Sequence, residues 1–445
     1  MATFITFAAK IKIFSLFLCR KMSRLRTWSW VLSANFSEGL PYTIVNTVLI
    51  ALLADMGVSN GPAAMIPSLL ALPWMWKFLW SPFIDTHSTK RRWMLLTQAI
   101  MAVVFFLIAL SLQQSWWLPV VVGGSALAAL ASATYDVSCD GYYMLALPPK
   151  DQAFFVGIRS TAYRLGMLFA SGVLLILAKE GTPSAWQRTF YIIAALMLLL
   201  AVCHKFLLPK VTKDAASHPQ QTTEQRSIRE VLKSFVQLHA GKELLFMLLF
   251  IFTYRLGEAF LSKVTILFLK DGIGQGGMGL NNEQYGYLYG TFGTLSLVIG
   301  GILGGICVSR WGLKRCIIPM VLALDLPDLL YVWLSYGALS AEIPSLAVIG
   351  SCISIEQFGY GFGFTAYMIY LLECAKGPYE TSHYAFLTAL MAFGLLIPST
   401  LSGYIQEALH SYYSYFAMAC LLTVPGILMS IWYVKRASHS APQSR

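Results

Sequence analysis

Three observations predict an all-α membrane protein with twelve transmembrane helices in two pseudo-symmetric six-helix halves. The first is apolarity. The 445 residues are 57% hydrophobic and 12% charged, with a mean hydropathy of +0.63, whereas a soluble domain carries roughly 25% charged residues. The second is that the apolar residues fall in continuous runs of about the ~20 residues that cross a bilayer. Continuous rather than alternating runs disfavour a closed β-barrel. The third is a single long polar segment, Lys210 to Ala240, with six runs before it and six after.

In chain order, residues 1–27 form a basic segment with a short apolar patch, Ile11 to Cys19. The patch is too short to span, and no small-residue cleavage site follows it. Met22 would serve as an alternative initiator. The N-terminal half, 28–208, holds spans at 28–54, 61–82, 92–113, 117–147, 152–178 and 186–208. The linker, 209–241, contains HPQQTTEQRS and reads as a flexible stretch leading into an amphipathic helix. The C-terminal half, 242–434, holds spans at 242–269, 282–309, 314–338, 344–374, 380–404 and 409–434, and 435–445 is a basic tail.

Lysine and arginine give the orientation, because cytoplasmic loops carry the excess of both. They crowd the N-terminus, the even-numbered loops (Lys90, Arg91 and Arg92; Arg310, Lys314 and Arg315), the linker and the tail. The odd-numbered loops hold only Lys179, Arg188 and Lys270. Both termini and the linker are therefore expected in the cytoplasm. The net charge of +11 is distributed as membrane topology, not as a nucleic-acid footprint. The eight cysteines form no CxxC pair and most lie in apolar runs, which reads as reduced core residues.

No catalytic motif is present: no GxSxG, P-loop, HExxH or Cys/His metal spacing. The glycines of GGILGG, Gly300 to Gly305, fall in a span and read as close helix packing. The chain is not expected to be an enzyme or to need a cofactor other than a proton gradient. What stands out is ionisable residues inside spans, each costing about 2.5 kcal/mol or more at mid-bilayer and marking a pathway by default. Ala131 to Gly166 carries Asp136 and Asp140, four apart on one helix face, and then Arg159 and Arg164. Two close carboxylates resist double ionisation, so this pair is the expected proton-coupling site. Arg159 or Arg164 would exchange between an acid and an anionic solute, or else lock the two helices together. Glu38, Lys77, Arg255, Glu258, Lys263, Asp325, Asp328 and Glu356 also lie within spans. Arg255 and Glu258, at i and i+3, pair either with each other or with solute. Asp325 and Asp328 read as proton carriers or as residues near a span surface. Tyr142, Tyr143 and Tyr163, which flank the charged hairpin, and Tyr360, Phe362, Phe364 and Tyr367 are candidates to line a cavity for a ring-bearing solute. Trp74 and Trp76 read as belt or packing residues.

A 6+6 arrangement with a short basic loop after spans two and eight is the pattern of the major facilitator fold, whose halves rock about a midplane site. The chain resembles the muropeptide permease (AmpG) group of that superfamily. The carrying segments are SEGLPYTIVNTVLIALLADMGVS (Ser37 to Ser59), LPWMWKFLWSPFID (Leu72 to Asp85), ATYDVSCDGYYM (Ala133 to Met144), YRLGMLFASG (Tyr163 to Gly172), YRLGEAF (Tyr254 to Phe260) and Tyr289 to Arg315. The resemblance implies proton-driven import of anhydromuropeptides across the bacterial inner membrane, with Asp136 and Asp140 as the acidic pair, Lys77 as the lysine of KFLW and Arg164 as the arginine of YRLG. This chain departs from the pattern in the VSC that splits its acids and in GYGFGF of span ten. Spans nine to twelve match loosely.

The leading expectation is a monomeric proton-coupled importer in the lipid bilayer, taking a polar, partly anionic sugar-peptide into a cavity lined by spans one, four, five, seven and ten. The alternatives are a siderophore or other polar-solute permease of the same fold, and a sensor that binds without transporting.

Overall fold

The computed structural model describes residues 25–211, 234–237, 241–340, 343–375 and 380–439. The N-terminal apolar patch, most of the linker with its expected amphipathic helix, Lys376 and the end of the tail lie outside the described residues.

Backbone in hydrocarbon must satisfy its own hydrogen bonds. The described residues accordingly contain no strand and form twelve helical spans. They are α1 (Leu25–Asp55), α2, α3 (Lys90–Ser111), α4 (Trp117–Ala146), α5, α6 (Pro183–Leu207), α7 (Lys242–Lys270), α8 (Asn282–Trp311), α9 (Leu313–Leu339), α10 (Leu346–Ala375), α11 (Glu380–Leu409) and α12. Helix α2 is assembled from Asn60–Leu70, Leu72–Trp76, Lys77–Leu79 and Ser81–His87. Helix α5 runs through Pro149–Leu168, Phe169–Leu174 and Leu175–Leu177, and α12 through Tyr412–Leu421 and Val424–His439.

Ten of these are long and apolar enough to cross a membrane on composition alone. The exceptions are α2 and α10. Prolines open two of the α2 pieces. A proline supplies no N–H to the turn before it, so α2 breaks where Pro73 and Pro82 stand and turns through a 3₁₀ step at Lys77–Leu79. Helix α10 is diluted by glycine and by Glu356 and Glu373.

The bundle is inside-out with respect to a soluble protein. Leu198, Leu199 and Phe206 of α6 and Ile299 and Ile302 of α8 are exposed, while polar groups meet inside. Gln98 of α3 donates to Ser37 of α1 at 2.7 Å, and buried His204 of α6 lies 2.9 Å from both Gln98 and Ser33.

Glycines set how closely the helices approach. In GYGFGF, a Cβ on Gly359 or Gly363 would strike the Ala323 or Met320 carbonyl of α9, and one on Gly361 would strike the Leu297 carbonyl of α8. Gly300 of GGILGG is held against the Phe358 carbonyl. The run is thus a two-sided packing surface that leaves Tyr360 and Phe364 for a third side. Between the halves, α2 packs on α11 with Gly403 against the Asn60 carbonyl, and α5 crosses α8 with Gly290 against the Ser171 carbonyl. Ser171 Oγ donates to the Gly290 carbonyl at 3.3 Å. Both helices are wound as π turns there, at Phe169–Leu174 and Gly286–Gly293.

Gly290→Ala is expected to destabilise the protein in detergent by about 1–3 kcal/mol, the usual cost of overpacking. Gly305→Ala is expected to leave thermal stability unchanged, since an added Cβ there meets nothing within 4 Å.

Candidate functional site

The charged hairpin assembles differently from a shared-proton pair. Asp136 and Asp140 are on one face of α4, as their spacing predicts, but each receives its own cation. The Lys77 ammonium, carried on the 3₁₀ step of α2, pairs with Asp136. The Arg159 guanidinium of α5 pairs with Asp140, donates to Asn35 Oδ1 at 2.9 Å, and stacks over the Tyr143 ring at 4.3 Å. Trp80 Nε1 donates to Thr134 Oγ1 at 3.1 Å, which fixes the broken end of α2 on α4. Nearby, Glu38 on α1 is half-buried, and its Oε2 has no hydrogen-bond partner among the described residues. Charge-assisted contacts of this kind are roughly twice as strong as neutral hydrogen bonds.

Beside this cluster a cavity of about 750 Å³ opens between the halves. Lys77, Tyr163, Arg255, Glu258 and Tyr360 are among the residues that line it. Arg255 stands at a break in α7 (φ −117°) and bonds Glu258 Oε2 at 2.7 Å. It also donates to the Tyr360 hydroxyl at 2.9 Å and lies 4.6 Å from the centre of the Phe364 ring. The i, i+3 pair therefore forms and at the same time anchors an aromatic wall. Opposite, Tyr42 meets Trp74 edge-on at 5.2 Å and Tyr163 at 6.4 Å. Glu356 accepts from Gln357 Nε2 at 2.9 Å and from the Tyr331 hydroxyl at 3.2 Å.

Several expectations need correction. Tyr142 is fully buried, packs edge-on against Trp30 and donates to the Pro209 carbonyl at 2.6 Å, away from the cavity. Arg164 is exposed and outside the lining. Each is one residue from a better-placed neighbour, Tyr143 or Tyr163, and one residue is about 100° of helix rotation. Helix α4 contributes no cavity wall, whereas α2, α8 and α11 do. Trp74 lines the cavity rather than a belt, because the break at Pro73 re-aims it. Tyr367 is core: it stacks on Tyr254 at 5.1 Å and donates to the Ile251 carbonyl. Asp325 and Asp328 are buried, each with an Oδ2 that has no hydrogen-bond partner among the described residues, and neither is at a span surface nor in the lining. Tyr42, Asn46, Tyr289 and Gln357 carried no sequence signal beyond being polar within a span.

The end of the bundle remote from the linker is closed by a polar cluster across the two halves. Lys270 of α7 bonds Asp55 of α1 at 2.6 Å and also Asn282 of α8. Asp55 further accepts from Asn282 at 2.6 Å and from Trp186 Nε1 at 2.9 Å. Asn60 of α2 donates to Gln406 Oε1 at 2.8 Å and to Asp271 at 3.2 Å, while the Tyr412 hydroxyl donates to Asp271. The Gly61 N–H donates to Glu407 at 2.7 Å. Lys270 lies one turn beyond Ile266, a residue of the cavity wall.

A sequence profile of the Major Facilitator Superfamily matches residues 31–376. The chain belongs to the Major Facilitator Superfamily. Over 404 residues it is 27% identical to the anhydromuropeptide permease of Escherichia coli, covering 90% of this chain and 78% of that one. The nucleoside transporter NupG superposes with a TM-score of 0.70 at 14% identity, covering 92% of this chain and 99% of that one. A D-xylose–proton symporter superposes with a TM-score of 0.65 at 12% identity, covering 91% and 97%. These superpositions place the superfamily's fold over nearly all of the chain.

Removing one partner of a buried ion pair costs about 3–5 kcal/mol, whereas replacing both by apolar groups is often neutral. Asp55→Asn is therefore expected to loosen the closed end, seen as faster hydrogen exchange at the adjoining ends of α1 and α7. The double variant Asp55→Leu/Lys270→Met is expected to recover only part of the protection, since it removes the unpaired ammonium but still leaves Trp186 Nε1 and Asn282 without the Asp55 acceptor.

Proposed function

We propose that the chain is a proton-coupled importer of anhydromuropeptides across the bacterial inner membrane, and that it moves its solute without altering it chemically. What carries this reading is the similarity to the anhydromuropeptide permease along 90% of the chain. Of the segments that carry the family resemblance, KFLWSPFID contributes Lys77 and YRLG contributes Tyr163 to the cavity wall. The cavity supports it. Its volume of about 750 Å³ is in the upper part of the ~300–1,000 Å³ range of small-molecule sites, enough for more than one sugar ring. Its walls offer both aromatic faces and charged groups, which a sugar-peptide would use.

In the proposed cycle, halves 28–208 and 242–434 rock about the cavity, with linker 209–241, segment 1–27 and tail 435–445 in the cytoplasm. The polar cluster around Asp55 then closes the periplasmic end. A proton arriving at Asp136 neutralises the carboxylate that holds Lys77 and frees the ammonium toward the solute. Asp140 and Arg159 make a parallel pair one turn away on α4, through which the same charge change would reach α1 by way of Asn35. A ligand shifts the rocking equilibrium only by its differential affinity for the two states, so proton and solute must both prefer one of them.

The test is uptake of radiolabelled anhydromuropeptide into oriented vesicles with and without an imposed pH gradient. Wild-type protein is expected to accumulate label only with the gradient. Asp136→Asn and Asp140→Asn are each expected to lose accumulation by about tenfold or more, the effect of about 1.4 kcal/mol, while still exchanging label at equilibrium. Accumulation that persists in both variants would remove the acids from coupling and leave the substrate standing. No uptake by wild type would refute the substrate.

A further inference from the structure

Four cations within the described spans are each answered by a carboxylate. Lys77 has Asp136, Arg159 has Asp140, Arg255 has Glu258 and Lys270 has Asp55. Arg164 is exposed outside the cavity. Lys263 breaks the pattern. It sits two turns after Arg255 on α7 and lines the cavity. Its ammonium donates to the Asn46 carbonyl of α1 at 2.9 Å and forms no ion pair with a described residue. Asn46 is in the π turn Ile44–Val48. Among the described residues, Lys263 is thus the one cation in the cavity wall without a carboxylate. Glu356, the acid of that wall without a cation, is instead held by Gln357 and Tyr331.

Among the described residues the Lys263 ammonium has one carbonyl as its acceptor and no carboxylate to balance its charge. It has three donors, and one of them is used here. A carboxylate delivered by the solute would supply both the missing charge and further acceptors. Since Lys263 touches α1 while belonging to α7, such an anion would bind where the two halves meet, and its affinity would depend on how they are disposed.

We propose that Lys263 is the anion anchor of the cavity and binds a carboxylate of the peptide moiety of the solute. This deepens the function proposed above and rests on it. It makes a free carboxylate, not the sugar alone, a requirement for tight binding.

The experiment is calorimetric binding to full-length protein in nanodiscs, using anhydromuropeptide with free peptide carboxylates and the same compound with those carboxylates amidated. Wild type is expected to prefer the free acid by about 10- to 100-fold, the size of a hydrogen bond to a charged group. Lys263→Gln is expected to bind the two compounds equally, and Lys263→Arg to restore much of the preference. Equal binding of both compounds by wild type would overturn the anchor and leave the proposed function intact; that arm needs no variant to fold. A preference that survives in folded Lys263→Gln would likewise overturn it. Failure of wild type to bind either compound would overturn the proposed function and this assignment together.

Discussion

An ionised side chain inside a membrane bundle is tolerated where another group answers it, and that requirement ties the helices of this protein together. Asp136 fixes the broken end of α2 through Lys77, and Asp140 fixes α5 through Arg159. Arg255 and Glu258 fix the wall of α10 through Tyr360, and Asp55 draws α7 and α8 onto α1. None of these contacts needs to contribute large net stability. Their value is that the alternative, an unanswered charge in hydrocarbon, is so unfavourable that few other arrangements compete.

The cavity follows from the same constraint combined with two breaks. Prolines interrupt α2, and α7 turns at Tyr254–Arg255. Each break brings a cation to the wall with aromatic rings beside it. Glycines do the complementary work in α10, where three of them are spent against α8 and α9 and the remaining face is left to Tyr360 and Phe364.

Ten of the spans were legible in the sequence because apolar length alone decides them; α2 and α10 fall short of that composition and qualify by context. The identity of the charged residues was legible for the same reason: a charge in an apolar run needs an explanation. Their partners were not. Asp136 and Asp140 look like a couple when only α4 is considered, but Lys77 and Arg159 arrive from other helices. Tyr142 and Arg164 fail as cavity residues because spacing along one helix does not fix which side faces the centre. Trp74 fails in the opposite direction, since its aim depends on a break whose angle the sequence does not state. The run GYGFGF is legible only once α8 and α9 are known to flank it.

The two kinds of contact between the halves differ in what forming them demands. The polar cluster at the closed end must immobilise long side chains, among them Lys270 and Gln406, and each surrenders rotamer freedom worth up to about 1.5–2 kcal/mol. The crossing of α5 and α8 at Ser171 and Gly290 is nearly all backbone and surrenders almost none. Warming should therefore weaken the cluster well before the crossing, leaving the halves joined at their waist after the end has begun to part.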